Sequence, residues 1–311
     1  MAFDRITVRM LPDGSVSKLF PFHISMEGIE NAVLCHDDED YDYCIKNIFV
    51  CAWRKNVIVV MYVAVSNHGH ISVLARSLED ALEYGEEVKK IYSMYFSRKY
   101  GKQKVLLRSS VNVQYLGDVW YVRNALAYIV RNAIDNLCPV NEYRWSGYRG
   151  VFRGEASLEN CRKVSSLTRR EKEDLFHTHE DLSKVPWLIN EKGELEPASC
   201  CDTRYLEEAF KKDQAFFLKV IGQQNLADME YKLVSGPRTM LPDGEMLKKA
   251  EELSVSWFEK NLQELSHERK IRLISFIYRT MHTTAAQLAR VFSMDRDAVE
   301  RILQQLKSKE K

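Results

Sequence analysis

The clearest strand pattern lies between Val57 and Leu74, where two hydrophobic runs rich in β-branched residues flank a short polar break. This pattern predicts two strands joined by a tight connection. His68 and His70 open the second run. Because successive strand side chains point to opposite faces, both imidazoles project from one side of the predicted sheet. Two imidazoles so placed are either a pair of metal ligands or a polar spot in an ordinary sheet.

Two further strand-like stretches come before this pair. Residues 3 to 9 are predicted to form a short strand that ends in a Leu-Pro-Asp-Gly turn, and Phe20 to Met26 alternates like a strand. His23 lies within the second stretch. It has no metal-binding partner at short spacing, so we interpret it as a polar residue of the sheet rather than a ligand.

Residues 78 to 96 have the periodicity of an amphipathic helix, and Ser77 is placed to cap its N-terminus. The end of this helix and the loop that follows are basic, with aromatic residues between the charges. The cations are Lys89, Lys90, Arg98, Lys99, Lys102, Lys104 and Arg108. The pattern is typical of a solvated helix end, and equally of a surface that follows a phosphate backbone and stacks unpaired bases.

A second helix is predicted from about Val119 to Leu137, with Asp118 as its cap. Its apolar residues form one stripe that faces the core, at Val122, Leu126, Ile129, Val130, Ala133 and Leu137. Tyr128 and Asn132 lie on a different stripe, one helical turn apart, so that a phenol and an amide project together. A tyrosine outside the apolar stripe is commonly a surface aromatic, so this spacing alone assigns no chemistry.

The C-terminal region has the pattern of three short helices, over residues 268–281, 284–292 and 296–307, with a tight turn between the last two. The apolar positions match the core of a helix-turn-helix. Arg296 and Arg301 are the candidate DNA contacts of the last helix, although acidic residues lie beside them. The same pattern also fits a three-helix interaction module that does not bind DNA.

Composition narrows the class of protein. The chain has 311 residues, of which 45% are hydrophobic and 29% charged, which predicts a globular protein with one substantial domain and a smaller one. A net charge of +1 indicates no partner by itself, so any affinity for nucleic acid must come from local clusters. No stretch resembles a membrane span or a signal peptide, and the seven cysteines form no CxxC pair, so we expect a cytoplasmic protein with reduced thiols.

Taken together and in order, these stretches resemble the single-tyrosine HUH transposases, and most closely the branch of REP-associated tyrosine transposases. The resemblance runs from Phe20 to Tyr148. The segments that carry it are FHISMEG, HDDEDYDYCI, VAVSNHGHISVL, IYSMYFSRKYG, LAYIVRNAIDN and YRWSGY. The chain departs from the family at Gly69, where a bulky hydrophobic residue is expected, and at Ala133, where a proline commonly follows the asparagine.

The resemblance implies an α+β fold in which a ferredoxin-like antiparallel sheet with helices, the HUH nuclease fold, occupies residues 1–150. A helical extension over residues 151–265 and a helix-turn-helix domain over residues 266–311 would follow. It implies that His68, His70 and Asn132 hold one Mg²⁺ or Mn²⁺ ion and that Tyr128 is the nucleophile. A free phenol ionises only near pH 10, so the tyrosine needs the metal or a base to help it.

The implied activity is cleavage and rejoining of single-stranded or hairpin DNA through a 5′-phosphotyrosine, by a monomer or homodimer associated with a bacterial-type nucleoid. Two alternatives stay open at this stage. The first is a domesticated homologue that binds DNA with little or no transposition. The second is an HUH relaxase or replication initiator, for which Tyr121, two helical turns before Tyr128, would be the second tyrosine.

Overall fold

The computed structural model describes residues 3–27, 33–101, 106, 109–135, 138–153, 158, 160–223, 241, 243–281 and 283–309. The first part of the chain contains β1 (Thr7–Met10), β2 (Val16–Glu27), α1 (Asp38–Lys55), β3 (Ile58–Ala64), β4 (Gly69–Ala75), α2 (Leu78–Tyr100), β5 (Ser110–Tyr115) and α3 (Val119–Asp135). After it come β6 (Arg162–Lys163), α4 (Arg169–Phe176), β7 (Leu188–Ile189), α5 (Pro197–Cys200), α6 (Thr203–Ala209), α7 (Gln214–Gln223), α8 (Asp243–Phe258), α9 (His267–Thr280), α10 (Ala285–Phe292) and α11 (Arg296–Lys309). The fold is therefore α+β, as the sequence predicts.

The chain divides into two compact units. The first, here called the sheet unit, is drawn from residues 1–27, 41–65 and 69–226. The second, the helical unit, is drawn from residues 28–40, 66–68 and 227–311. Two short loops from the first half of the sequence therefore belong to the same unit as the C-terminal helices.

The main sheet is antiparallel, with its strands in the order β5–β2–β4–β3 and with β1 paired to the first part of β2. The connection through α1 joins β2 to β3, and the connection through α2 joins β4 to β5. Each of these helices therefore carries the chain across one strand before it re-enters the sheet. Backbone bonds from Ala64 to Trp145 and from Asp202 to Val59 cover the outer edge of β3, which would otherwise offer unpaired groups to another chain.

Helices α1 and α2 lie side by side. The Asn47 amide donates to the Val88 carbonyl at 2.9 Å, and the Tyr84 hydroxyl donates to the Ile48 carbonyl at 3.2 Å. Helix α2 approaches the sheet most closely at Gly85, because a Cβ there would lie 2.6 Å from Val111 Cγ1. The same Cβ would lie 3.1 Å from Cγ2 of Ile24 in β2, so α2 covers this face of the sheet.

Gly85→Ala is expected to destabilise the sheet unit by about 1–3 kcal/mol, because the added methyl meets two β-branched side chains that have little rotamer freedom. The measurement is the denaturant midpoint of the full chain. Gly222→Ala is the matched control, since a Cβ at Gly222 meets nothing within 4 Å and alanine favours a helix by up to about 1 kcal/mol. An equal midpoint for both variants would contradict the close approach of α2.

Helix α3 contributes its apolar stripe to the core, and the described members of that stripe are buried at Val122, Leu126, Ile129, Val130 and Ala133. The sequence prediction of this stripe is confirmed for these five residues, and Leu137 lies outside the described residues. The stripe leaves Tyr128 on a separate side of the helix, where it is 39% exposed.

In the helical unit, residues of α8, α9, α10 and α11 pack into one core that includes Leu273, Ile277, Leu288, Phe292 and Val299. The three C-terminal helices lie where the sequence predicts them. Among the described residues, none of the helices is both long and apolar enough to cross a membrane. The seven cysteines are free thiols, and burial raises the pKa of Cys51 to about 12, so this thiol stays protonated at neutral pH.

Candidate active site

His70 lies on β4, on the face of the sheet that α3 approaches. Its pairing partner on the neighbouring strand β2 is Ser25, while Ser72 on β4 pairs with His23 on β2. Residues two apart on a strand share a face, so the four side chains form one polar patch in the middle of the sheet. His70, Ser25 and Ser72 are all buried.

His23 is in direct contact with His70. Its Nε2 lies 3.2 Å from Nδ1 of His70, and the two rings stack with centroids 5.2 Å apart at an interplanar angle of 29°. The sequence interpretation of His23 as a residue of the sheet is correct for its place, but it missed this contact. The partner is 47 residues away along the chain, and only the strand register brings the two together.

Tyr128 stands on α3 with its ring beside both imidazoles. The ring centroids of Tyr128 and His70 are 5.0 Å apart at 73°, and those of Tyr128 and His23 are 6.1 Å apart at 78°. Both contacts are edge-to-face, the arrangement that aromatic pairs prefer. The structure thus brings the proposed nucleophile and one of the two proposed histidine ligands together.

Asn132 is one turn further along α3 and is 4% exposed. Its amide nitrogen donates to the Tyr128 carbonyl at 2.9 Å. This bond ties the nitrogen to the helix backbone and leaves oxygen as the atom with the chemistry of a metal ligand.

His68 immediately precedes β4 and belongs to the helical unit, as do Ser66 and Asn67. Its Nδ1 lies 2.8 Å from the side-chain oxygen of Asn67. An amide oxygen only accepts hydrogen bonds, so in the neutral ring of His68 the proton is on Nδ1 and the lone pair is on Nε2. This is the form in which a histidine binds a metal through Nε2.

The donors suit an open site rather than a closed one. Among the described residues, no group of three His, Cys, Asp or Glu side chains could hold a metal ion. Two imidazole nitrogens and one amide oxygen are neutral donors and fewer than the ligands of a closed site. An ion held by them keeps coordination positions for water and phosphate. The proton on Nδ1 of His68 and the engaged Nδ1 of His70 are both consistent with ligation through Nε2.

The basic end of α2 has local partners that the sequence analysis did not foresee. Lys89 pairs with Glu86 at 2.8 Å, and Lys90 pairs with Glu87 at 3.8 Å, both from the preceding helical turn. Lys99 lies over the ring of Tyr95, and Arg98 is exposed. The remaining predicted cations lie outside the described residues, namely Lys102, Lys104 and Arg108.

In the C-terminal helix, Arg296 pairs with Glu300 at 2.9 Å, whereas Arg301 is exposed. The acidic residues that the sequence places beside these arginines therefore engage one of the two. Arg301 is the more accessible cation for a phosphate.

Large aromatic side chains are exposed near the start of α3, and the sequence analysis did not single out this surface. Trp120 is 66% exposed, Tyr121 is 47% exposed and Tyr115, at the end of β5, is 42% exposed. The guanidinium of Arg5 lies 5.6 Å from the Tyr115 ring centroid. We call these four residues the aromatic face. Tyr121 precedes Tyr128 by about two helical turns, so these two residues lie on the same side of α3. Tyr115 pairs with Phe22 and therefore stands on the sheet face opposite His23.

The chain matches no family model and no curated protein. Among solved structures it is similar to a REP-associated tyrosine transposase bound to a REP hairpin, with 14% sequence identity and a TM-score of 0.33. The match covers 42% of this chain and 76% of that chain. At so low a score the likeness carries no argument, and the functional case rests on the residues described above.

Proposed function

We propose that this chain is a metal-dependent nuclease and strand transferase of the HUH class that acts on single-stranded DNA through a covalent bond to Tyr128. The observation that carries the proposal is the contact between Tyr128 and His70, whose ring centroids are 5.0 Å apart. This contact places a phenol beside a histidine that is a candidate metal ligand, as a metal-assisted tyrosine nucleophile requires.

The topology supports this proposal. Strand order β5–β2–β4–β3 with helices between β2 and β3 and between β4 and β5 is the order of a ferredoxin-like βαββαβ sheet. Gly85 brings α2 onto one face of this sheet, through contacts with Val111 and the isoleucine of β2. His23 and His70 occupy strand positions that alternate with those residues and hence lie on the opposite face, where Tyr128 of α3 contacts them. We propose that the active site lies between this face and α3.

We propose His68, His70 and Asn132 as the metal-binding residues, with Mn²⁺ better suited than Mg²⁺ to imidazole nitrogen. The bound ion would act as a Lewis acid on the scissile phosphate. The protein's own contribution is to hold each donor. Asn67 orients His68, and the backbone of α3 orients Asn132.

The covalent step uses the phenol of Tyr128. Its oxygen attacks phosphorus, and the bond from phosphorus to the 3′ oxygen of the preceding nucleotide breaks. The phenol loses one proton to water and the leaving oxygen takes up one proton, so the products are a 5′-phosphotyrosine and a 3′ hydroxyl. Because the new bond is still a phosphodiester, a second 3′ hydroxyl reverses the step and joins strands without a nucleotide cofactor.

The aromatic face favours unpaired DNA as the substrate. Exposed aromatic rings stack bases that are free of a duplex, and Arg5 adds positive charge next to Tyr115. Two of its residues, Trp120 and Tyr121, lie on the same helix as the nucleophile. We propose that these two rings hold the nucleotides next to the scissile phosphate, and that the region 266–311 adds a second DNA contact through Arg301.

Trp120→Ala is expected to weaken binding of a single-stranded oligonucleotide about 5- to 150-fold, which corresponds to about 1–3 kcal/mol for one stacked base. The measurement is fluorescence anisotropy of a labelled oligonucleotide, in a Tyr128→Phe background that prevents reaction. Leu218→Ala is the matched control, because it removes an exposed apolar side chain that cannot stack. Equal affinity for the two variants would mean that Trp120 does not stack a base.

The proposed function is tested by trapping the intermediate. The full chain is incubated with Mn²⁺ and single-stranded oligonucleotides that contain a hairpin, and the products are separated under denaturing conditions. We expect a DNA–protein adduct whose tryptic peptide carries the modification on Tyr128. Cleavage without an adduct, or an adduct on another residue, would contradict the proposal.

A further inference from the structure

His23 and His70 are diagonal neighbours on two paired strands. Ser25 stands opposite His70 and Ser72 stands opposite His23, so the two imidazoles share one face of the sheet at a distance that long or aromatic side chains can bridge. Their nitrogens approach to 3.2 Å and their rings stack. Stacking and the nitrogen contact together restrain the orientation of the His70 ring.

A contact of this length between two imidazole nitrogens requires a proton between them, because two lone pairs would repel each other. Two arrangements are possible for neutral rings. If Nδ1 of His70 donates to Nε2 of His23, then Nε2 of His70 carries its lone pair. If His23 donates instead, the proton of His70 lies on Nε2, and this nitrogen cannot bind a metal.

We infer that His23 is a positioning residue that accepts the Nδ1 proton of His70 and thereby keeps the lone pair of His70 on Nε2, the nitrogen that would bind the metal. The inference rests on the proposed function, because that function requires His70 to bind the metal through Nε2. It assigns His23 no ligand role and no place in the covalent step.

The loop before β4 shows the same arrangement on the neighbouring histidine. There the Asn67 oxygen accepts the Nδ1 proton of His68 at 2.8 Å. A neutral acceptor on Nδ1 therefore stands beside each of the two proposed histidine ligands, an amide for one and an imidazole for the other. Metal-binding histidines usually have such a partner, and its loss costs about 10- to 100-fold in metal affinity or activity.

The position of His23 relative to Tyr128 is part of the same geometry. Its ring centroid lies 6.1 Å from that of Tyr128, further than the 5.0 Å from Tyr128 to His70. The centroids of His23 and His70 are 5.2 Å apart, so the three rings form a nearly equilateral triangle in which His23 is a neighbour of both His70 and Tyr128.

The experiment measures Mn²⁺ affinity of the full chain without DNA, from the free Mn²⁺ signal in electron paramagnetic resonance. We expect His23→Leu to weaken Mn²⁺ binding about 10- to 100-fold. His23→Gln should recover most of the affinity, because its amide oxygen can accept the same proton. His179→Leu is the matched control, since this side chain is 87% exposed and lies outside the site.

A second readout follows the proton directly. Long-range proton–nitrogen NMR of ¹⁵N-histidine-labelled protein, without metal, should show His70 protonated on Nδ1 in the wild type and less so in His23→Leu. A wild-type His70 protonated on Nε2 would overturn the inference. So would a His23→Leu variant that folds and binds Mn²⁺ as tightly as the wild type.

The two proposals can fail separately. If the wild type forms the Tyr128 adduct and binds Mn²⁺ as His23→Leu does, the role of His23 is wrong and the proposed function stands. If the wild type forms no adduct, the proposed function is wrong, and the NMR measurement still decides which nitrogen of His70 holds the proton.

Discussion

Tyr128→Phe is expected to abolish the DNA–protein adduct and to lower strand cleavage by about 10⁴-fold or more, the scale on which the loss of a nucleophile acts in other enzymes. Phenylalanine has no atom that can form the bond to phosphorus. The substitution removes one oxygen and keeps the ring that packs beside His70. Because Tyr128 is 39% exposed, we expect the free energy of unfolding to change by less than about 0.5 kcal/mol.

Two controls make this prediction specific. Tyr128→Phe should bind a single-stranded oligonucleotide as the wild type does, because the aromatic face is intact. Tyr121→Phe should still form the adduct, since Tyr121 lies about two turns away on α3 and has no histidine among its ring contacts with described residues. An adduct that persists in Tyr128→Phe and disappears in Tyr121→Phe would instead favour an enzyme of the replication-initiator type.

Local periodicity was sufficient to predict the elements that carry the site. The apolar stripe of α3 follows directly from the spacing of Val122, Leu126 and Ile129, and the same spacing predicts that Tyr128 stands apart from the core. The strand that contains His70 is predicted just as simply, from a run rich in β-branched residues after a short polar break. Both features depend only on the spacing of residues within one helix or one strand, and this spacing can be read directly from the sequence.

Contacts between elements could not be predicted in the same way. His23 meets His70 only because β2 pairs with β4 in one register, and a slip of one residue would place His23 on the other face. The exposure of Trp120 is different, because it follows from the apolar stripe of α3, which lies on another side of the helix.

The loop of Ser66 in the helical unit shows more strongly that contacts between distant parts of the chain cannot be predicted from local pattern. Ser66 bonds to Asp243, which is 177 residues away along the chain. Nothing in the pattern around Ser66 distinguishes it from an ordinary turn residue. Only the folded structure identifies Asp243 as its partner, within a buried polar cluster.

Asp243 is the centre of that cluster and is 4% exposed. It accepts from the Ser66 hydroxyl at 2.5 Å, from Arg290 Nε at 2.6 Å and from the Gln287 amide at 3.0 Å. Asp243→Ala is expected to destabilise the helical unit by about 3–5 kcal/mol, because it leaves the Arg290 guanidinium without its countercharge in a partly buried position. The measurement is denaturant unfolding of the full chain by circular dichroism.

The expected size of this effect comes from the unpaired charge and not from the lost pair itself. The double variant Asp243→Ala with Arg290→Met should therefore be more stable than Asp243→Ala alone, since it buries no uncompensated charge. Ser66→Ala, which removes one neutral donor, should cost only about 1 kcal/mol. If Asp243→Ala unfolded at the wild-type midpoint, the cluster would not hold this unit together. If Asp243→Ala is destabilised as expected, the loop of Ser66, Asn67 and His68 depends on the bond between Ser66 and Asp243 for its attachment to the C-terminal helices.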